Sequence, residues 1–210
     1  MSDTFGEGQS HDAGSFAIWL AEFDEVLSGT RDSVVACGSC NACCKSKQFI
    51  HIEADERATL RRIPKALQFH APGLENGTVV LGYDEHGHCP MLVNERCSIY
   101  DDRPRACRAY DCRVLAATKV RVDADKPLIQ ERVDRWRFRN DSENELLRAA
   151  TIAAAQFLET RRAEFPNGTM PVDPTQRAIV ALIVRDLFVG EEASTVTVAD
   201  VVARIAAARR

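Results

Sequence analysis

The sequence predicts a mainly helical α+β protein, with a cysteine-rich half of short antiparallel strands packed on a helical C-terminal half. Three observations carry this reading. All eight cysteines lie between residues 37 and 112. The same stretch is punctuated by Pro, Gly and Asn around short β-branched runs, the pattern of brief strands and turns. The remainder carries helix caps and apolar residues at helical spacing.

The elements follow in order. Residues 1–14 are rich in Gly, Ser, Asp and Glu without periodicity and are expected to be disordered. Ser15 is placed to cap a helix whose face is Phe16, Trp19, Leu20, Phe23 and Leu27, with Gly29 as its stop. A strand is expected at Gln48–Ile52, and a charged helix from Glu53 to Ile63, ended by Pro64. Thr78–Tyr83 reads as a strand by β-branched content. Met91–Val93 and Ser98–Tyr100 read as short strands around Asn94-Glu95. Pro104 suits a helix start, with Asp101 and Asp102 on the favourable side of the dipole. Leu128–Asn140 is ambiguous: Ile129, Val133 and Trp136 fit a helix, while Arg135–Arg139 alternates like a strand. Ser142 with Glu145 forms a capping box for a helix over 143–164. Asp173-Pro174 with Gln176 opens a helix running to Gly190, and Thr197 with Asp200 opens the last one. No internal repeat and no linker interrupts the chain. The expected organisation is a disordered 1–14, a cysteine domain over 15–125, and a helical region over 126–210 packed on it.

Composition narrows the functional classes. The chain has 210 residues, 45% hydrophobic and 28% charged, which is ordinary globular composition able to build a core without staples. A net charge of −4 supplies no basic field, so nucleic acid is not expected as a partner. The longest apolar run, 178–184, is too short to span a bilayer, so no membrane partner is expected. The N-terminal residues show no secretory signal, which points to the cytoplasm and to reduced thiols.

Four cysteines fall within eight residues: Cys37, Cys40, Cys43 and Cys44. Cys89, Cys97, Cys107 and Cys112 follow. A Cys-x-x-Cys step presents two sulfurs from one tight turn, which suits zinc and iron–sulfur sites. On a helix, positions 37, 40, 43 and 44 would share an arc of about 120°. Cys37, Cys40 and Cys43 have the ferredoxin triplet spacing, and Cys89-Pro90 supplies the distant Cys-Pro. These four are the preferred ligands of an iron–sulfur cluster, of the four-iron, four-sulfide (4Fe-4S) type. Cys44, Cys97, Cys107 and Cys112 are candidate ligands of the same or a second centre. Cys44 departs from the ferredoxin pattern, because two adjacent short side chains rarely reach one ion. A single zinc held by four thiolates, using Cys43 or Cys44, is the competing reading.

Arg96, Arg103, Arg105, Arg108 and Arg113 flank the later cysteines. They could offset thiolate charge and tune a potential, or pair on the surface with Glu95, Asp101, Asp102 and Asp111. His86 and His88 read as turn residues beside Cys89, and His51 as half-buried. Arg132, Arg135, Arg137 and Arg139 alternate with Trp136 and Phe138; a structural element outweighs a nucleic-acid platform here.

The run Cys-x-x-Cys-x-x-Cys-Cys, the later Cys-Pro-Met-Leu, the Cys-Ser-Ile-Tyr and the Arg-Pro-Arg-Ala-Cys-Arg-Ala-Tyr-Asp-Cys resemble the bacterial cysteine-cluster family, over about residues 35–113. That family is described as zinc- or iron-chelating. The resemblance implies metal chelation by all eight cysteines. Flagellin lysine methylases carry a similar run, although no Gly-x-Gly-x-x-Gly loop is present here.

Three functions follow as expectations. The first is an iron–sulfur protein in redox or cluster-dependent chemistry, with a protein redox partner or substrate. The second is a zinc-stabilised structural or interaction module. The third is a protein-modifying enzyme like the lysine methylases, which rests on family analogy. No nucleophile–base pair is named, so no catalytic residue is assigned.

Overall fold

Helices dominate and strands are short. The computed structural model describes residues 10–35, 37–70, 73, 77–139 and 142–208. In chain order the elements are β1 (His11–Ser15), α1 (Phe16–Leu27), β2 (Ile50–Ile52), α2 (Arg57–Arg62), β3 (Gln68–Phe69) and β4 (Val79–Leu81). Then come β5 (Leu92–Val93), β6 (Arg96–Cys97), α3 (Arg105–Ala109), α4 (Arg113–Thr118), α5 (Pro127–Arg135) and β7 (Trp136–Arg139). The chain closes with α6 (Ser142–Thr160), α7 (Pro174–Val184) and α8 (Val198–Ala208). Backbone contacts divide it into two units: residues up to 21 with 112–123 and 130 onward, and residues 22–111 with 124–129. Among the described residues no helix is long and apolar enough to cross a membrane.

The helical unit contains a correction. Residues 11–15, of which 11–14 were expected to be disordered, form β1, which pairs in parallel with β7: His11 opposite Trp136, Gly14 opposite Phe138. Residues 1–9 lie outside the described residues. The ambiguous stretch 128–140 is both things in turn, helix α5 and then strand β7. In β7, Trp136 and Phe138 are buried while Arg137 and Arg139 are exposed. Phe138 closes a ring cluster with Phe16 (5.3 Å) and Trp19 (5.0 Å). Rings spent on a core cannot stack on bases, which removes the nucleic-acid reading of this stretch.

Ser15 does not cap α1 as expected. Asn144, from α6, takes that role: its Oδ1 accepts the Ala17 N–H at 3.1 Å and its Nδ2 donates to Ser15 Oγ at 3.1 Å. The caps of α7 and α8 form locally, while the Ser142 side chain of the expected capping box lies outside the described residues. Asp173 Oδ1 accepts the Gln176 N–H at 3.0 Å, and Pro174 occupies the first turn of α7. Thr197 and Asp200 cap reciprocally at the start of α8. Fully buried Ala154, Ala178 and Ala181 let α6 and α7 approach closely, and Leu158, Leu182 and Val184 fill the space between helices. Helices α6 and α7 stop earlier than expected, at Thr160 and Val184, and each continues as a 3₁₀ turn.

The cysteine unit is built on a three-stranded antiparallel sheet in the order β2-β4-β3. Ile52, Ile63, Val79, Leu81 and Ile99 form its core, and Cys89, Met91 and Cys97 pack against that core. Strand β3 was not anticipated; Gln68 Nε2 donates to the carbonyls of Leu60 (2.9 Å) and Ile63 (2.8 Å), which α2 leaves open. The expected helix from Glu53 is cut to Arg57–Arg62. The expected strand at Ser98–Tyr100 is displaced. Asn94 (φ 50) and Glu95 (φ 63) make a two-residue hairpin turn, which pairs Leu92 with Cys97 and puts the return strand at Arg96–Cys97.

Candidate metal centre

The cysteine run is not one continuous helix. The Cys40 N–H donates to the Cys37 carbonyl at 2.9 Å, closing a tight turn, and Ala42–Lys45 is a 3₁₀ turn. Buried Ser46 ends that turn, its Oγ donating to the Ala42 carbonyl at 2.6 Å. At three residues per turn, neighbouring side chains project about 120° apart. Cys43 and Cys44 therefore address different directions.

Cys89 is brought to this run by backbone. Its N–H donates to the Cys44 carbonyl at 2.7 Å. The turn before it is wound on Asp84, whose Oδ1 accepts the N–H groups of His86 (2.9 Å) and His88 (2.8 Å). The His88 N–H, before the His86 N–H, holds the Asp84 carboxyl below the usual carboxylate range. Gly87 (φ 80) bonds its carbonyl to the Lys47 N–H at 2.9 Å, and a Cβ there would stand 2.6 Å from the Lys47 side chain. His86 is exposed and His88 half-exposed, in the turn as expected; His51 is exposed rather than half-buried.

The thiols gather around Cys44. Burial pushes the Cys44 thiol up to about 12, and the charges of Cys89, Cys97, Cys37 and Cys40 add to the shift. Burial also pushes Cys107 up to about 12, with Cys44, Cys89 and Cys97 adding and Arg103 opposing. Burial raises Cys89 as well; the neighbouring backbone of Met91 and Leu92 opposes the rise, while Cys97 adds to it. Six thiols thus feel one another: Cys37, Cys40, Cys44, Cys89, Cys97 and Cys107. Cys37 is exposed, Cys40, Cys43 and Cys97 are partly buried, and all lie in the cysteine unit. Cys112 belongs to the helical unit, where its buried sulfur accepts the Trp136 Nε1–H at 3.2 Å.

Three of the flanking arginines also meet partners that were not expected. Arg105 pairs with Asp55 at 2.8 Å, Arg108 approaches Asp32 at 3.8 Å, and Arg103 lies 4.2 Å over the Tyr100 ring. Asp102 is met by Arg62 at 3.6 Å. Sequence reasoning missed Glu56. This buried carboxylate accepts the N–H of Glu53 (2.9 Å) and of Arg105 (2.5 Å), anchoring the start of the helix that carries Cys107. A Glu in a charged segment has no sequence signal that separates it from a surface residue. The Asp84 turn, in contrast, was readable from Asp-x-x-Gly.

Among the described residues, no three Cys, His, Asp or Glu side chains stand in ready coordination geometry. The donor chemistry nonetheless fits a thiophilic ion. Half-buried thiols that oppose one another's ionisation are relieved by a cation. Cys44, Cys89, Cys97 and Cys107 would supply soft donors, and a bound zinc or iron centre would neutralise them as thiolates. Because Cys44 and Cys107 carry protons at neutral pH, each must release one on binding. Affinity for Zn²⁺ is therefore expected to rise with pH from neutrality toward 9, with at least about two protons released per ion at pH 7. Calorimetry in buffers of different ionisation enthalpy measures this; release of fewer than one proton refutes it.

A gathered set of cysteine thiols on a small α+β framework defines a metal-chelating cysteine domain. Residues 36–132 match the family model described as "CxxCxxCC: Putative zinc- or iron-chelating domain". No curated protein and no solved structure matches the chain.

Proposed function

We propose that the protein holds an iron–sulfur centre used in redox or cluster-dependent chemistry, with Cys44, Cys89, Cys97 and Cys107 as its inner thiols. The observation that carries this is the environment of Cys89, which packs against an apolar cluster and is joined through its own N–H to the Cys44 carbonyl at 2.7 Å. A low-dielectric wall and nearby positive charge are among the means by which a protein sets a cluster's reduction potential. Arg103, within electrostatic reach of Cys107, acts in the same direction. Cys37, Cys40 and Cys43 stand beside this set as further ligands or as the outer rim of the centre.

Anaerobic purification with iron, zinc and acid-labile sulfide analysis tests the reading. The expected result is a brown protein containing iron and sulfide in equal amounts. A colourless protein from iron-replete anoxic cells, with stoichiometric zinc and no sulfide, overturns it. That outcome selects a zinc-stabilised module, which the brevity of the strands favours. Strands of two or three residues bury little and gain from a metal cross-link.

A further inference from the structure

We infer that Glu95 is a positioning residue of the metal centre, a clamp that locks the Cys97 hairpin onto the cysteine run. The inference rests on the metal-centre reading above. Glu95 sits at the tip of the β5–β6 hairpin, one of two consecutive residues with positive φ. That conformation is costly for a residue with a Cβ and persists where surrounding contacts determine it. The contacts are present. Glu95 Oε2 accepts Asn41 Nδ2–H at 2.6 Å and Lys45 Nζ–H at 2.5 Å, and its backbone carbonyl accepts Asn41 Nδ2–H at 3.4 Å.

The two partners bracket the thiols. Asn41 follows Cys40, and Lys45 follows Cys44. Cys97 lies two residues beyond Glu95, on the strand the tip turns into. One carboxylate therefore ties the hairpin that carries Cys97 to the run that carries Cys40 and Cys44. An isolated surface ion pair would contribute little. Here the Glu95 side chain is 69% exposed but the Lys45 side chain only 21%, and the same carboxylate oxygen serves two donors. A residue that orients ligands in this way acts chiefly on how firmly the ion is held; loss of such support costs about 10–100-fold in affinity.

The experiment uses the full chain loaded with Co²⁺ alone, read by thiolate-to-cobalt charge-transfer absorption and by release to a chelator. Glu95→Ala is expected to bind cobalt stoichiometrically but to release it about 10–100-fold faster. Glu95→Gln, which keeps an acceptor oxygen, should recover part of the loss. Asn41→Ala and Lys45→Met should each show an intermediate effect, and Lys45→Met should add nothing in the Glu95→Ala background. Release unchanged in a folded Glu95→Ala protein, judged by circular dichroism, overturns the clamp while leaving the centre intact. If Glu95→Ala does not fold, unchanged release in both Asn41→Ala and Lys45→Met overturns it. A wild-type chain that takes up no cobalt rejects the metal centre itself, and the clamp's role with it.

Discussion

Cys44→Ser is expected to weaken zinc or iron binding by at least about 100-fold, beyond the range seen for residues that only support a ligand, whereas Cys43→Ser should change it by less than about tenfold. The two residues are chemically identical neighbours, and the 3₁₀ turn at Ala42–Lys45 separates them. Cys44 is partly buried and within electrostatic reach of Cys89, Cys97, Cys37 and Cys40. Its backbone carbonyl also receives the Cys89 N–H, so the residue is held at the point where the two segments meet. Serine is nearly isosteric and preserves the turn, which isolates the loss of the thiolate. Competition against a chromophoric chelator measures both variants. Equal losses, or a larger loss for Cys43→Ser, would show that the ion sits on the other side of the turn.

Leu182→Ala is expected to lower the unfolding free energy by about 2–5 kcal/mol, the cost of a fully buried leucine whose cavity cannot collapse. Leu182 is wholly inaccessible on α7, a helix in contact with α4, α6 and α8. The alanines beside it, Ala178 and Ala181, leave no long side chain to swing into the void. Leu146 on α6 is 70% exposed, and Leu146→Ala should stay within about 0.5 kcal/mol of wild type. Urea unfolding of the two variants decides the matter. A Leu182→Ala protein as stable as Leu146→Ala would mean that α7 is not part of the core.

Much of the helical architecture was legible because its signals are local. The caps at Asp173 and Thr197 form with partners three residues away, and each reads correctly from the residues concerned. The Asn94-Glu95 turn was legible too, but the strand after it was misplaced. Two residues with positive φ return the chain at once, so Arg96–Cys97 pairs where Ser98–Tyr100 was expected. Where the partner is distant, local pattern fails. Nothing near Ser15 announces that Asn144 caps α1, and nothing near His11 announces that β7 lies beside it. The stretch 128–140 was ambiguous for the same reason. Arg135 to Trp136 changes from helix to strand because a parallel partner, more than a hundred residues earlier, is available to β7.

For the cysteines, the sequence by itself determined the chemistry. Soft donors at these spacings specify a thiophilic ion, and their family is recognisable from the motifs alone. Only the tertiary structure decided the setting of each sulfur. The triplet Cys37, Cys40 and Cys43 has the spacing of a cluster-binding loop, yet the thiols whose ionisation their surroundings oppose most strongly are Cys44 and Cys107. Cys112, close to Cys107 in sequence, accepts an indole N–H in the helical unit. The reason is physical. Spacing constrains how near two sulfurs can come, whereas the phase of a turn, the register of a hairpin and the burial of each side chain determine whether they do.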